Sequence, residues 1–163
     1  GPSEQVENKF PLLVRRYELR EDSGGAGRHR GGLGTEVEVE ALAPINYMTR
    51  SDRVVNPPWG LHGGKSAKGN RIAVRRKDGE LTIYPGGKLD TRLAKGEVYI
   101  MSSGGGGGFG PPAERAPEAL ARDVRQGYVS VEAAWNDYGV RFDPETLEPV
   151  KPAVSRNKRR GSK

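Results

Sequence analysis

The segments EDSGGAGRHRGGLG, residues 21–34, and SSGGGGGFGPPAERAPE, residues 102–118, are both rich in glycine and lie far apart in the chain. Glycine is preferred where the backbone takes a positive φ angle or passes close to another backbone or a ligand. The glycine run at residues 104–108 is followed at once by Phe109 and two prolines. This context predicts an ordered loop; a flexible connector is the alternative for such a run.

The composition is typical of a single, loop-rich β domain. The 163 residues include 24 glycines and 12 prolines, and only 34% are hydrophobic, which predicts a modest core that other chains complete. There is no cysteine, which excludes disulfides and thiolate metal sites in this chain. No apolar stretch approaches the ~20 residues of a membrane span, and a cytoplasmic location is expected.

The net charge of +6 comes from one end of the chain. Residues 151–163, KPAVSRNKRRGSK, contain six lysines and arginines and no acidic residue, so the charges of residues 1–150 balance. We therefore predict one domain over residues 1–150, followed by a basic, disordered tail over residues 151–163. Docking of the tail on an acidic partner surface and binding to nucleic acid are the alternatives.

Alternation of apolar and polar residues predicts several β-strands. In residues 35–41, TEVEVEA, apolar residues alternate with three glutamates, as in a strand with one buried and one solvated face. Residues 71–77 and 80–84 flank the dipeptide Asp78-Gly79, which predicts a hairpin with a type I′ turn. Strands are also predicted over residues 12–20 and 97–102.

Two short helices are predicted after the second glycine segment. Pro117 suits the first turn of a helix over residues 117–126, and Ser130 suits the N-cap of a second helix over residues 131–138. Residues 140–142 are predicted to return as a strand. The expected fold is therefore mainly β, a barrel-like or sandwich body with glycine-rich extended loops and two short C-terminal helices.

Two catalytic or nucleotide-binding motifs are incomplete. The sequence Asp22-Ser23-Gly24-Gly25 is similar to the region around the nucleophile of trypsin-like proteases, but both histidines follow the serine here, whereas that family's histidine base precedes it. The sequence GLHGGKS, residues 60–66, would need a glycine at position 59 to form a phosphate-binding loop, and that position is Trp59. Residues 70–74 predict a strand where such a loop requires a helix. Neither activity is expected.

The first glycine segment supplies most of the candidates for a binding or interface site. Arginines near glycines can present two parallel donors to a carboxylate or phosphate. A structural ion pair that fixes the loop is the alternative interpretation. Two histidines without the spacing of metal ligands predict no metal site. The candidate residues are Asp22, Ser23, Gly24, Gly25, Arg28, Arg30 and His62.

Three segments follow one another in an order that identifies a family. They are FPLLVRRYELREDSGGAGRHRGGLG at residues 10–34, PPWGLHGGKSAKGN at residues 57–70, and SSGGGGGFGPPAERAPEALARDVRQGYVSVEAAWNDYGV at residues 102–140. Their order resembles the C-terminal part of the hydantoinase B family over about residues 1–140. That family includes B subunits of ATP-dependent hydantoinases, the matching half of 5-oxoprolinase, and subunits of acetone and acetophenone carboxylases.

The resemblance implies a hetero-oligomeric enzyme. In this family an A-type subunit with an ATPase fold phosphorylates the substrate, and the B-type subunit then supports hydrolysis or carbon–carbon bond formation. ATP and Mg²⁺ are thus expected on a partner subunit, with no cofactor in this chain. The family's metal ligands lie in the N-terminal portion of the B-type polypeptide, which this chain is expected to lack. The resemblance therefore assigns no catalytic residue here.

The function expected is that of a small subunit or fragment that completes a B-type subunit. Its expected partners are the N-terminal portion of that subunit and an ATPase-type A subunit, with no role for a membrane. The alternative is a non-enzymatic β module that binds an anionic ligand or RNA through the glycine-rich loops and the basic tail. The two differ in whether a co-purifying chain supplies the rest of the enzyme.

Overall fold

The computed structural model describes residues 2–150, and the predicted basic tail lies outside the described residues. The strands of this part are β1 (Leu12–Leu19), β2 (Thr35–Ala41), β3 (Ile45–Arg50), β4 (Arg71–Arg75), β5 (Leu81–Tyr84), β6 (Lys88–Leu93) and β7 (Val98–Ser102). The helices are α1 (Ser3–Lys9), α2 (Pro117–Arg125) and α3 (Val131–Tyr138), and a short 3₁₀ helix covers Pro112–Glu114. No helix within residues 2–150 is long and apolar enough to cross a membrane.

Two antiparallel sheets form a sandwich. The larger sheet has the order β1-β2-β7-β4-β5, and the smaller sheet pairs β3 with β6. The core between them contains Ala41, Ile72 and Val74 from the larger sheet and Leu89 and Leu93 from β6, and burial of such side chains is the main driving force for folding. The strands within residues 2–150 do not close into a barrel, so the sandwich form of the predicted fold is the correct one.

Arginine side chains cover the glutamates on the outer face of β2. The alternation predicted for this strand is present, but the side chains of Glu36, Glu38 and Glu40 are each no more than 19% exposed. Arg75 Nη1 lies 3.0 Å from Glu38 Oε2, and Arg16 Nη1 lies 3.1 Å from Glu36 Oε1. Long arginine stems therefore cover a face that the sequence predicted to be solvated.

The predicted β4–β5 hairpin is confirmed, but its predicted turn type is wrong. A type I′ turn needs a positive φ at both central residues, whereas only Gly79 of the Asp78-Gly79 pair has one, at 87°. Gly79 N donates to Arg76 O at 3.0 Å, and Glu80 N donates to the Asp78 carboxylate at 3.0 Å. The connection is therefore a type I turn followed by a glycine bulge.

Both predicted helices are confirmed, whereas the strand predicted after them is wrong. The Ser130 side chain caps α3, and Gly139 ends it in the left-handed conformation with φ at 73°. Residues 140–142 form no strand; Phe142 makes a single isolated bridge to Pro149. Asp143 N donates to Glu148 O at 2.9 Å and Val150 N donates to Arg141 O at 2.8 Å, one on each side of this bridge, and within residues 2–150 the pairing extends no further.

Three adjacent strands of the larger sheet continue at one end into extended, glycine-rich segments. Residues 23–34 lead into β2, residues 59–70 lead into β4, and residues 103–110 leave β7. All three segments leave the same end of the sheet, where β7 lies between β2 and β4, and residues 103–110 form backbone hydrogen bonds to both of the other segments. We call these three segments the glycine bundle.

Backbone hydrogen bonds fix the segments of the glycine bundle to one another. Gly106 N donates to Gly32 O at 2.9 Å, and Gly108 N donates to Lys65 O at 3.0 Å. Lys65 N in turn donates to Ala26 O at 2.7 Å. The prediction that the glycine-rich stretches form ordered loops is therefore confirmed.

Close backbone approach is the reason for glycine in this bundle. A Cβ atom added at Gly31 would overlap the carbonyl group of Gly106, and one added at Gly25 would overlap the carbonyl oxygen of Lys65. Neither Gly25 nor Gly31 has a positive φ in the left-handed region. The absence of a side chain, and not backbone freedom, is what these positions require.

We expect Gly31→Ala to destabilise the fold by about 3 kcal/mol or more, because the new methyl group has no room unless the bundle separates. The neighbouring Gly32 is the matched control, since a Cβ there meets no atom within 4 Å. Gly32→Ala should change the free energy of unfolding by at most about 0.5 kcal/mol. Urea unfolding followed by circular dichroism measures both, and equal effects would contradict the packing argument.

Candidate functional site

Asp22 and Ser23 connect the glycine bundle to neighbouring elements. Asp22 Oδ1 accepts a hydrogen bond from Ser130 N at 2.8 Å, so the loop is tied to the start of α3. Ser23 is fully buried, and its hydroxyl donates to Arg20 O at 2.5 Å and accepts from Gly34 N at 2.8 Å. These two predicted site residues thus fix the loop, and the Ser23 hydroxyl does not reach the surface.

Gly24 and Gly25 lie within the backbone packing of the bundle. Gly25 N donates to Gly106 O at 2.9 Å, and Gly25 O accepts from Gly31 N at 2.9 Å. A Cβ atom at Gly24 would overlap the carbonyl oxygen of Gly31. These two predicted residues therefore contribute backbone contacts that keep the loop in shape.

Arg30 belongs to a buried ion-pair cluster that joins the bundle to α2. Its Nε donates to Asp123 Oδ2 at 3.0 Å, and its guanidinium lies 5.6 Å from the centre of the Tyr128 ring. Arg115 Nη2 donates to the same Asp123 oxygen at 2.5 Å. The side chains of Arg30 and Asp123 are 15% and 8% exposed. Of the two interpretations that the sequence allowed for the arginines of this loop, Arg30 fits the second, a structural ion pair that fixes the loop.

Tyr138 adds an apolar anchor between α3 and the bundle. It is buried with Ala26, Leu120 and Val124 in a second core cluster formed largely by the helices. Burial raises the pKa of the Tyr138 hydroxyl, as expected when the charged form is removed from water. The first glycine segment is therefore held against the helices by apolar contacts as well as by Asp22 and Arg30.

Arg28 is exposed at the edge of the bundle. Its side chain is 48% exposed, and its Nη1 lies 3.6 Å from Glu114 Oε2. Its backbone N donates to Gly110 O at 3.2 Å. An exposed ion pair of this length contributes little to stability and is readily broken. Because the side chain is also about half exposed, the Arg28 guanidinium is accessible to an anionic group or a partner chain.

His29, Leu61, His62 and Phe109 lie together at the exposed side of the bundle, and we call this group the aromatic end. His29 and Phe109 exchange two backbone hydrogen bonds of 2.9 Å, and Leu61 forms a bridge to Phe109. The Phe109 ring centre lies 6.2 Å from that of His29 and 4.9 Å from that of His62. Leu61 and Phe109 are 53% and 40% exposed.

His62 is the predicted site residue that belongs to the aromatic end. It has a φ of 50°, a left-handed conformation that is uncommon for a residue with a side chain. Sequence reasoning missed that both histidines meet Phe109, because 33 positions separate His29 from His62. The available signal was a phenylalanine placed between glycines. Within residues 2–150, no three His, Asp or Glu side chains are grouped so that they could hold a metal ion.

Comparison with known proteins places these features in a family. Residues 1–112 match the hydantoinase B/oxoprolinase family model. The chain is 38% identical to the caprolactamase β subunit of Pseudomonas jessenii over 148 residues, covering 88% of this chain and 25% of that protein. A chain in the crystal structure of the ATP-dependent caprolactamase from the same organism superposes with a TM-score of 0.73 at 31% identity, covering 88% and 25% of the two chains.

A nucleotide-free acetone carboxylase structure has the same fold. It superposes with a TM-score of 0.75 at 24% identity, covering 88% of this chain and 23% of that chain. The family match and the fold together mean that this chain belongs to the hydantoinase B/oxoprolinase family and corresponds to a region of a B-type subunit. It spans about a quarter of the length of the caprolactamase β subunit and of two other curated relatives, and less than a tenth of the length of the related 5-oxoprolinases.

We expect Asp123→Ala to destabilise the fold by about 3–5 kcal/mol, because Arg30 and Arg115 would lose the carboxylate that they share in a buried site. Arg30→Ala should cost less, since Arg115 still neutralises Asp123. Lys65→Ala, which removes the exposed ion pair with Asp137, should cost at most about 1 kcal/mol. Urea unfolding measures all three, and similar costs for Asp123→Ala and Lys65→Ala would contradict the assignment.

Proposed function

We propose that this chain completes the B-type subunit of an ATP-dependent, cytoplasmic enzyme that opens cyclic amides or carboxylates ketones. The observation that carries the proposal is the family match over only about a quarter of the length of the relatives. The proposed partners are the remaining B-type polypeptide and an ATPase-type A subunit, which would bind ATP and Mg²⁺. This chain would contribute a wall of the reaction chamber rather than a complete active site.

The chemistry of the relatives explains why ATP would be needed. Caprolactam is a cyclic amide, whose carbonyl carbon is a poor electrophile, and acetone is a ketone, whose methyl carbon is a poor nucleophile until it is enolised. One of the two related structures is an ATP-dependent caprolactamase, and the other is an acetone carboxylase that carries out ATP-dependent acetone carboxylation. Phosphorylation of the amide oxygen would make the caprolactam carbonyl carbon a better electrophile for water, and the phosphoryl group would leave as inorganic phosphate as the C–N bond breaks. In the carboxylation the ketone oxygen is retained, and phosphorylation of the enol oxygen or of bicarbonate would activate the two partners of the carbon–carbon bond. Such an activated species must be shielded from bulk water until its proper nucleophile is positioned.

The glycine bundle has the properties that a chamber wall requires. Its backbones are in direct contact, and its first segment is tied to α2 through Arg30 and to α3 through the preceding Asp22, so we expect it to move little when a partner docks. The exposed leucine and phenylalanine of the aromatic end provide apolar area on that fixed backbone, and exposed apolar groups of this kind favour a partner surface. We place the aromatic end and Arg28 against the rest of the complex, close to the chamber.

The test is reconstitution of the enzyme from three polypeptides: this chain, the remaining B-type polypeptide and the A-type subunit. Ring opening of hydantoin, 5-oxoproline or caprolactam, or carboxylation of acetone, should require ATP and all three. Phe109→Ala should weaken assembly at least about tenfold, as truncation of a central aromatic anchor does in other interfaces. The matched control is Trp135→Ala, because Trp135 is an exposed aromatic residue of α3, and it should assemble normally.

Two results would contradict the proposal. One is ATP-dependent turnover by the other two polypeptides at an unchanged rate when this chain is omitted. The other is binding of RNA or a small anion by this chain with no association with the B-type polypeptide, which would favour the non-enzymatic alternative. Normal assembly of Phe109→Ala with normal turnover would leave the subunit role intact and remove the aromatic end from the interface.

A further inference from the structure

The smaller sheet covers only part of the larger one. One row of side chains crosses the inner face of the larger sheet, because the register pairs Tyr17 with Val37, Val37 with Met101, and Met101 with Ile72. Ile72 is 1% exposed beneath the smaller sheet, whereas Tyr17 at the β1 edge is 66% exposed. The second layer of the sandwich therefore ends between β4 and β1.

A groove with a cavity volume of about 320 Å³ lies where this cover ends, and we call it the sheet groove. Val37, Tyr99 and Met101 form its apolar floor. Two of its polar side chains already accept hydrogen bonds from the protein. Ser103 Oγ accepts from Thr35 N at 2.6 Å, and Asn70 Oδ1 accepts from Gly104 N. The groove therefore suits an apolar occupant better than a polar small molecule.

An open strand edge lies beside the sheet groove. Within residues 2–150, β3 pairs only with β6. Tyr47 of β3 stacks on Tyr99 of the groove floor with 4.1 Å between the ring centres, and Ser51, which directly follows β3, lines the groove, so β3 is the strand of the smaller sheet that borders it. An open edge presents N–H and C=O groups that can pair with another extended chain. Such pairing, with alternate side chains packed into an apolar floor, is a common mode of peptide recognition.

We propose that an extended segment of the remaining B-type polypeptide lies in the sheet groove, pairs with the open edge of β3 and buries Tyr17, Val37 and Met101. This inference rests on the proposed function, which supplies that polypeptide as a partner. The relatives carry about three quarters of their length beyond the region that this chain matches, which is ample for added strands. Residues 151–163 of this chain suit the groove poorly, because six of them are basic and few are apolar.

Association of this chain with the remaining B-type polypeptide, in the presence of the A-type subunit, tests the inference. Tyr17→Arg places a charge on the exposed inner face of the sheet, next to Val37 of the groove floor, and should weaken association at least about tenfold, because a buried interface tolerates unpaired charge poorly. The matched control is Ile83→Arg. Ile83 is also an exposed apolar residue of an edge strand, but it lies on the opposite face of the sheet, since its partner Ala73 alternates with Ile72 and Val74. Ile83→Arg should bind normally.

Hydrogen exchange in the assembled complex gives a second readout that does not depend on a variant. Residue-resolved mass spectrometry should find all β3 amides slowly exchanging, including the alternate ones that do not bond to β6. Fast exchange of those alternate amides, together with normal binding by Tyr17→Arg, would overturn the groove assignment and leave the proposed function standing. Failure of the unmodified chain to associate at all would instead overturn the proposed function. Self-association of this chain that Tyr17→Arg abolishes would identify a second copy as the occupant and overturn the inference.

Discussion

Direct contact between three backbones is the constraint on which this structure depends. In the glycine bundle, carbonyl oxygens of one segment occupy the space that a Cβ atom would take in the next, as Gly106 does beside Gly31. The segments continue three adjacent strands, and the backbone of one segment lies where side chains of the next would stand. Hydrogen bonds between the segments, such as Gly106 N to Gly32 O, provide stabilisation that buried apolar side chains provide in the rest of the fold.

The same constraint connects fold to function. Because residues 23–34 cannot move away from residues 103–110 without breaking these contacts, the polar groups at their margins have fixed positions. Asp22 is thereby held at the start of α3, and Arg30 meets Asp123 of α2. The aromatic end forms because His29 and Phe109 exchange backbone hydrogen bonds across the bundle. A rigid surface of this kind loses little conformational entropy when a partner docks on it.

The elements that could be predicted from the sequence are those with signals in neighbouring residues. Ser130 and Gly139 bracket α3 with side-chain and left-handed caps, and the alternation in TEVEVEA marks β2. The strands β3 and β6 were missed because INYMTR does not alternate strictly, with Met48 and Thr49 on the unexpected faces, and KLDTRL has only two apolar residues. Helix α1 was also missed, since none of its residues is buried. Contacts across the bundle, including both histidines at Phe109, join residues far apart in sequence and have no local signal.

Amide hydrogen exchange of the bundle glycines tests the central claim most directly. Gly25, Gly106 and Gly108 each donate a backbone hydrogen bond to another segment or across the loop. If the bundle is part of the structural core, these amides should exchange only through global unfolding, as slowly as those of the β2–β7 ladder. Exchange at the rate of exposed loops, with the β2–β7 ladder still protected, would contradict the account, because the glycine-rich segments would then be flexible connectors.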